Sequence, residues 1–344
     1  MMYSLDEVGL IPTIISDIKH RGDINPYVLS PFGGEKLPIF VAPMTCLLNG
    51  TNICTFGQSK VEPILPVRVE SIENRTVLSN GSNWKGWTAV TLQEFEEIFI
   101  RNSPNWEPPY YILIDVANGH MAELFNVIKI AKERYDSNIN IMIGNIANPN
   151  TYIKCCEAKV DYVRIGIGGG SGCTTSVQTG IHTSIPYILE GIKDRKLLYR
   201  SGINNFKTKV IADGGINTIS KAIKALALGA DYVMMGKCFA ECEECNLHVK
   251  EYHDKSGSII KVENHYYGQS SERGQLDRFG KIKSNPEGSD LWVPVTENLA
   301  TFSNKFEAAL RSAMSYCGAK NLNEFIGKVR YEYMTPTEFN SFNK

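Results

Sequence analysis

Eight short apolar runs rich in β-formers recur along the chain, with stretches of helical period between the later ones. This alternation constrains the fold more than any other feature. The runs lie near 39–42, 63–67, 88–90, 111–116, 139–143, 162–165, 210–212 and 232–235, and helix candidates occupy 122–135, 150–158 and 220–228. Strands apolar on both faces that alternate with amphipathic helices belong to a parallel sheet covered on both sides. Eight such units over roughly 200 to 250 residues predict an α/β fold of the (β/α)8 TIM-barrel type rather than a doubly wound sheet. Glycines come directly after the later runs, at Gly144, Gly166, Gly168, Gly169, Gly170, Gly214, Gly215 and Gly236. In such a barrel these places form the C-terminal mouth, where sites are built.

Charge and composition narrow the classes of partner. The chain has 344 residues, with 36 basic against 37 acidic side chains. That balance offers no electrostatic reason to expect nucleic acid or an anionic membrane as a partner. The apolar runs are strand-sized, far short of a spanning helix, and the N-terminus lacks the pattern of a secretory leader. Nine scattered cysteines, an odd number, fit reduced thiols and a cytoplasmic location better than a disulfide framework. Residues 1–344 read as one catalytic domain. From about 241 to 301 the pattern turns polar and irregular, which predicts a functional flap inserted after the last strand. The run 306–319 reads as a helix that packs back on the barrel.

The chemistry concentrates in Gly166-Ile167-Gly168-Gly169-Gly170-Ser171-Gly172-Cys173-Thr174-Thr175. Four glycines in five residues let the backbone turn its amides and carbonyls toward a ligand. Ser171 adds a hydroxyl suited to phosphate, and Cys173 sets a thiol beside two threonines, a nucleophile with proton-transfer partners. Asp213, with Gly214 and Gly215 after it, is placed to accept hydrogen bonds from ribose hydroxyls. Gly236 and Lys237 form a second strand end fit for phosphate. Each feature alone has a plain reading, a mobile loop, a helix cap or a turn. Together they suggest a site for a nucleoside monophosphate.

These motifs resemble, in order and spacing, the signatures of the IMP dehydrogenase/GMP reductase family. The resemblance is carried by the glycine loop, by IADGG at 211–215 and by GADYVMMG at 229–236. It extends to DEVGLIP at 6–12, DVANGH at 115–120, YYGQSS at 266–271, PEG at 286–288 and RSAMSYCGAK at 311–320. Residues 14–105 match poorly. The resemblance implies that Cys173 attacks C2 of a purine nucleoside monophosphate and that Thr175 assists proton transfer. It places Ser171, Gly214, Gly215, Gly236, Lys237 and Tyr266 around the phosphate, with Asp213 on the ribose. Gly268, Gln269, Ser270 and Glu287 fall at the base. Asp115, Asn118, Gly166 and Gly168 fall where the family binds nicotinamide cofactor. The carbonyls of Gly168, Gly170 and Cys173 match a potassium site. A homotetramer without regulatory CBS domains is the implied assembly.

The fate of the cysteine adduct separates the two enzymes. The dehydrogenase passes hydride from IMP to NAD and then needs a base to activate water; the reductase expels ammonia from GMP and takes hydride from NADPH. The dehydrogenase base is a flap arginine, and Arg278-Phe279 occupies a comparable place, although a solvated surface arginine is the plain reading. Chain length, the short flap, DVANG at 115–119 and Glu287 lean toward the reductase. The flap arginine ranks the dehydrogenase first and the reductase second. A catalytically silent nucleotide-binding barrel is the alternative from another class. Departures from the family pattern fall at Thr45, Gln269, Gly172, Ser176 and Phe279. Cys242-Glu243-Glu244-Cys245 lacks a second pair for zinc and reads as plain surface. His120 reads as a structural histidine, and Trp84, Trp87 and Trp106 read as packing residues.

Overall fold

The computed structural model describes residues 3–78, 80–170, 174–198, 206–245 and 247–342. Eight parallel strands form one sheet: β1 (Ile39–Val41), β2 (Ile64–Leu65), β3 (Trp87–Val90), β4 (Tyr110–Asp115), β5 (Ile139–Ile146), β6 (Tyr162–Ile165), β7 (Lys209–Asp213) and β8 (Tyr232–Met235). Neighbours keep chain order from β2 to β8, and β8 pairs back onto β1. The bridge between Phe40 and Glu62 brings β1 against the segment that leads into β2, so the sheet curls into a barrel. Each expected strand is present, and the predicted (β/α)8 architecture is observed.

Period-two alternation explains what the barrel encloses. Phe40, Trp87, Tyr162 and Tyr232 meet inside it, with Phe40 5.2 Å from Tyr232 and Trp87 5.2 Å from Tyr162 between ring centroids. Trp87, Tyr162 and Tyr232 are the first residues of their strands. They therefore close the N-terminal end with an aromatic layer. Two residues further along the same strands, Arg164 and Met234 point inward at the mouth, where the Arg164 guanidinium comes within 3.9 Å of the Met234 sulfur. One strand pattern thus supplies both the floor of the barrel and part of its mouth.

Helices cover the outside. Helix α1 (Ala122–Tyr135) buries Leu124, Val127, Ile128 and Ala131, the i, i+3, i+4, i+7 stripe of a one-sided helix. Helices α2 (Pro149–Glu157), α3 (Ile185–Leu198) and α4 (Ile219–Leu228) continue the ring. Among the described residues no helix is long and apolar enough to cross a membrane.

The segment after β8 is more regular than its composition implies. It forms an antiparallel sheet of β9 (Val249–His253), β10 (Ile259–Tyr267) and β11 (Asp290–Pro294), and helix α5 (Glu272–Phe279) lies between the last two strands. Strand β9 and the first half of β10 are largely exposed, so they lack the apolar alternation that marks a strand in sequence. Ser271 caps α5 by accepting from the Gly274 amide, and Gly280 ends it in the left-handed conformation. The closing helix α6 (Leu299–Tyr316) starts seven residues before the expected 306, capped by Asn298. A two-stranded ribbon joins Val8–Ile11 to Arg330–Tyr333 and has no local sequence signal.

Candidate active site

A cavity of about 670 Å3 opens at the C-terminal mouth of the barrel. Its lining brings together Thr175, Asp213, Gly214, Gly215, Gly236, Lys237, Tyr266, Gly268, Gln269, Ser270, Arg278 and Glu287 with Asp115, Gly166, Gly168 and Gly170. Ser171 and Cys173 lie outside the described residues. Asn118 sits outside the lining: it is exposed, and its side-chain oxygen accepts from the His120 amide at 3.0 Å. Arg164, Asn145, Met44, Asn217 and Lys283 also line the cavity, and sequence reasoning did not select them. Arg164 had a signal, a lone cation inside an apolar strand.

Two glycines show why a side chain is excluded here. At Gly166 φ is +112°, and a Cβ would lie 2.4 Å from the Asp213 carbonyl, so the loop and β7 could not close together. At Gly236 a Cβ would meet the Tyr266 hydroxyl at 2.9 Å and the Met44 sulfur at 3.3 Å. Tyr266 and Met44 therefore close on the backbone that the sequence assigns to phosphate.

A buried charge cluster crosses the mouth. One Asp115 oxygen accepts from Arg164 at 2.6 Å and the other from Arg278 at 2.9 Å. Arg164 also donates to the Gly144 carbonyl at 3.0 Å, and its Nε stands 3.9 Å from Asp213. Asn145 donates to Asp213 at 2.9 Å and to the Gly166 carbonyl at 2.8 Å. Burial opposes the charge on Asp115, but the guanidiniums of Arg164 and Arg278 outweigh it and hold the carboxyl below its ordinary range. At Asp213 burial dominates and holds the carboxyl above the ordinary range, against partial offsets from Arg164 and Asn145. Two nearby carboxyls are thus driven apart by their surroundings, a pattern common at reactive sites.

The opposite wall holds a second pair. The Thr175 hydroxyl donates to a Glu287 carboxylate oxygen at 2.9 Å. Backbone bonds brace it, from the Thr174 amide to the Glu287 carbonyl at 3.0 Å and from the Glu287 amide to the Ser270 carbonyl at 2.9 Å. The flap and the end of the glycine loop are thereby stitched together. Gln269 donates to the Pro43 carbonyl. Buried Gln275 accepts from the Lys283 and Ser284 amides at 2.8 and 3.0 Å, which shapes the loop after α5.

Arg278 is not a solvated arginine: its side chain is 12% exposed and faces Asp115. Phe279 comes next on the cavity wall, with the Lys283 ammonium 3.9 Å from its ring centroid. Thr45 is fully buried outside the lining, while its neighbour Met44 faces the cavity. Among the remaining sequence features, His120 proves structural: Nδ1 lies 2.8 Å from the Thr151 hydroxyl, and Nε2 accepts from the Ala147 amide. Cys242 and Cys245 are buried rather than on the surface, and their thiols turn to the Cys238 and Cys46 carbonyls. Trp87 is core.

Comparison with known proteins bears on the family. The family model for the IMP dehydrogenase / GMP reductase domain matches residues 110–341. The chain belongs to that family. Its relatives include the inosine-5'-monophosphate dehydrogenase of Chlorobaculum parvum, 30% identical over 230 residues, which cover 65% of this chain and 45% of the relative. The chain spans about half the length of such dehydrogenases. The GMP reductase of Staphylococcus carnosus is 29% identical over 345 residues and covers 98% of both chains. That of Helicobacter pylori strain G27 is 26% identical over 335 residues, 87% of this chain and 95% of its own.

Proposed function

We propose that this family member works in the reductive direction, as a GMP reductase that converts GMP to IMP and ammonia. The observation that carries this reading is the hydrogen bond from Thr175 to Glu287 on the cavity wall. Expulsion of ammonia needs a proton delivered to the exocyclic amine, and a carboxyl group linked to a hydroxyl is suited to that transfer. The thiolate of Cys173 adds to C2, the amine departs as ammonia after protonation through Thr175 and Glu287, and the thiolate leaves again when C2 has been reduced. NADPH, when bound, supplies the hydride. The end-to-end correspondence with the reductases supports the same direction.

The flap arginine, which ranked the dehydrogenase first in sequence, is engaged as a cation on Asp115. To act as a base it would give up the charge that this ion pair uses. Its better-fitting role here is to seal the mouth and keep water from the adduct. IMP dehydrogenase remains the second reading, because Arg278 still faces the cavity and its Nε has no partner among the described residues.

The residues fit a nucleotide with a nicotinamide beside it. The cavity is of ligand size, and the buried oxygens of Asn217 and Gln269 in its wall lack partners among the described residues. Gly215, Gly236 and Lys237 would hold the phosphate at one side, and Asp115, Gly166 and Gly168 the cofactor at the other. For potassium, the Gly168 carbonyl already meets the Ser176 hydroxyl at 3.3 Å, and Cys173 is outside the described residues. A homotetramer is part of the proposal and is read by sedimentation.

The test monitors nicotinamide absorbance with potassium present, GMP plus NADPH against IMP plus NAD. NADPH loss with GMP, abolished by Glu287→Gln and by Cys173→Ser, supports the reductase. NADH formation from IMP overturns it in favour of the dehydrogenase. Nucleotide binding without either reaction makes the protein a silent nucleotide-binding barrel.

A further inference from the structure

Helix α5 carries Arg278 to the cavity, and the residue before it turns to a different part of the molecule. A carboxylate oxygen of Asp277 accepts from the Tyr267 hydroxyl at 2.5 Å. The Asp277 carbonyl accepts from the Val69 amide at 3.0 Å, which ties the last turn of α5 to the loop after β2. Arg68 holds that loop in turn by donating to the Thr45 and Leu48 carbonyls at 2.8 and 3.1 Å. Tyr267 is 1% exposed at the end of β10, and its own carbonyl accepts from the Cys46 thiol at 3.4 Å. The C-terminal turn of α5 is thus gripped on two sides, by Tyr267 with the loops after β1 and β2, and by Asp115 on β4.

Position 45 adds a second observation. The family resemblance calls for a carboxylate there, whereas this chain has Thr45, whose buried side chain lies beside the Tyr267 hydroxyl. Cys46, next to Thr45, contacts Tyr267, and the carboxylate that meets this tyrosine arrives from the flap as Asp277.

We propose that Tyr267 and Asp277 form a latch that sets helix α5 so that Arg278 reaches Asp115 and the flap closes the cavity. They are positioning residues, since neither is part of the cavity lining. The link to turnover rests on the reading of Arg278 as the seal of the active site; the latch itself does not. One buried hydrogen bond to a carboxylate is enough to shift a local opening equilibrium by about tenfold.

Tyr267→Phe tests this on the full chain, because the ring packed 4.9 Å from His265 stays while the hydroxyl goes. Amide hydrogen exchange without ligand should speed up about tenfold in 272–279 and stay unchanged in helix α1. Equal exchange in both proteins overturns the latch. In turnover, Tyr267→Phe should lower kcat about tenfold, leave the nucleotide KM in place, and add nothing to Arg278→Ala. Losses that multiply in the double variant show that Tyr267 does not act through Arg278, and overturn the proposal. Asp277→Ala and Asp277→Asn form the second pair, with the amide variant, which still accepts from the phenol, expected closer to the parent. Should the protein turn over neither nucleotide, the functional reading fails while the exchange experiment still decides the latch.

Discussion

Arg278 Nη2 lies 2.9 Å from Asp115 Oδ2, which joins the end of the flap helix to the end of the fourth barrel strand. The two residues are separated by 163 positions in sequence. Asp115 shares its other oxygen with Arg164, so one carboxylate bridges two guanidiniums in a nearly dry place.

Removal of that carboxylate should therefore hurt more than loss of an exposed ion pair. Asp115→Asn leaves two cations facing each other and should lower unfolding stability by about 3 kcal/mol. Urea unfolding checks this. A loss under about 0.5 kcal/mol would mean that the cluster behaves as a solvated surface pair.

Asp213 predicts the opposite sign. Its folded carboxyl lies above the ordinary value of 3.8 because of burial. Its contribution to stability is present below that value and lost as pH rises through the folded value. Asp213→Asn should thus raise the melting temperature at neutral pH while it weakens nucleotide binding, and the thermal gain should vanish near pH 4. Melting curves across pH decide it; a variant less stable than the parent at pH 7 contradicts the burial argument.

His120 gives a second pH signature. Burial holds its folded value below the ordinary 6.5, and the neutral ring keeps both hydrogen bonds, to Thr151 and from Ala147. Its contribution is present above 6.5 and lost as pH falls through the folded value. The stability difference between the parent and His120→Ala should shrink as pH drops from 7.5 to 5. Unfolding midpoints that keep a constant gap over that range would remove the histidine from the account.

Gly236→Ala probes the proposed phosphate wall. The new methyl group would meet the Tyr266 hydroxyl at 2.9 Å, which forces the tyrosine or the strand end to move. Nucleotide affinity should fall about tenfold, equivalent to about 1.4 kcal/mol, with a smaller effect on folding. Titration calorimetry with GMP measures it, and unchanged affinity would place the phosphate elsewhere.

The barrel was legible because its cause is local. Strands such as Tyr162–Ile165 and helix α1 advertise themselves through short-range period and apolarity, and the glycine loop through its composition. The flap sheet was not legible, since β9 and much of β10 face solvent on both sides and carry Glu and Lys. The ribbon of Val8–Ile11 with Arg330–Tyr333 was hidden by distance along the chain, because strand pairing leaves no trace in either segment alone.

The amino-acid sequence by itself determined the parallel barrel, its mouth and the glycine-rich strand ends that line it, because periodicity and glycine placement act within a few residues. Only the tertiary structure decided what those residues do to one another. Whether Arg278 is solvated or paired, which of two aspartates is pushed up and which down, and which carboxylate meets Tyr267 all depend on burial and on partners distant in the chain. Those energies arise from three-dimensional proximity in a low-dielectric mouth, a quantity that no local pattern encodes.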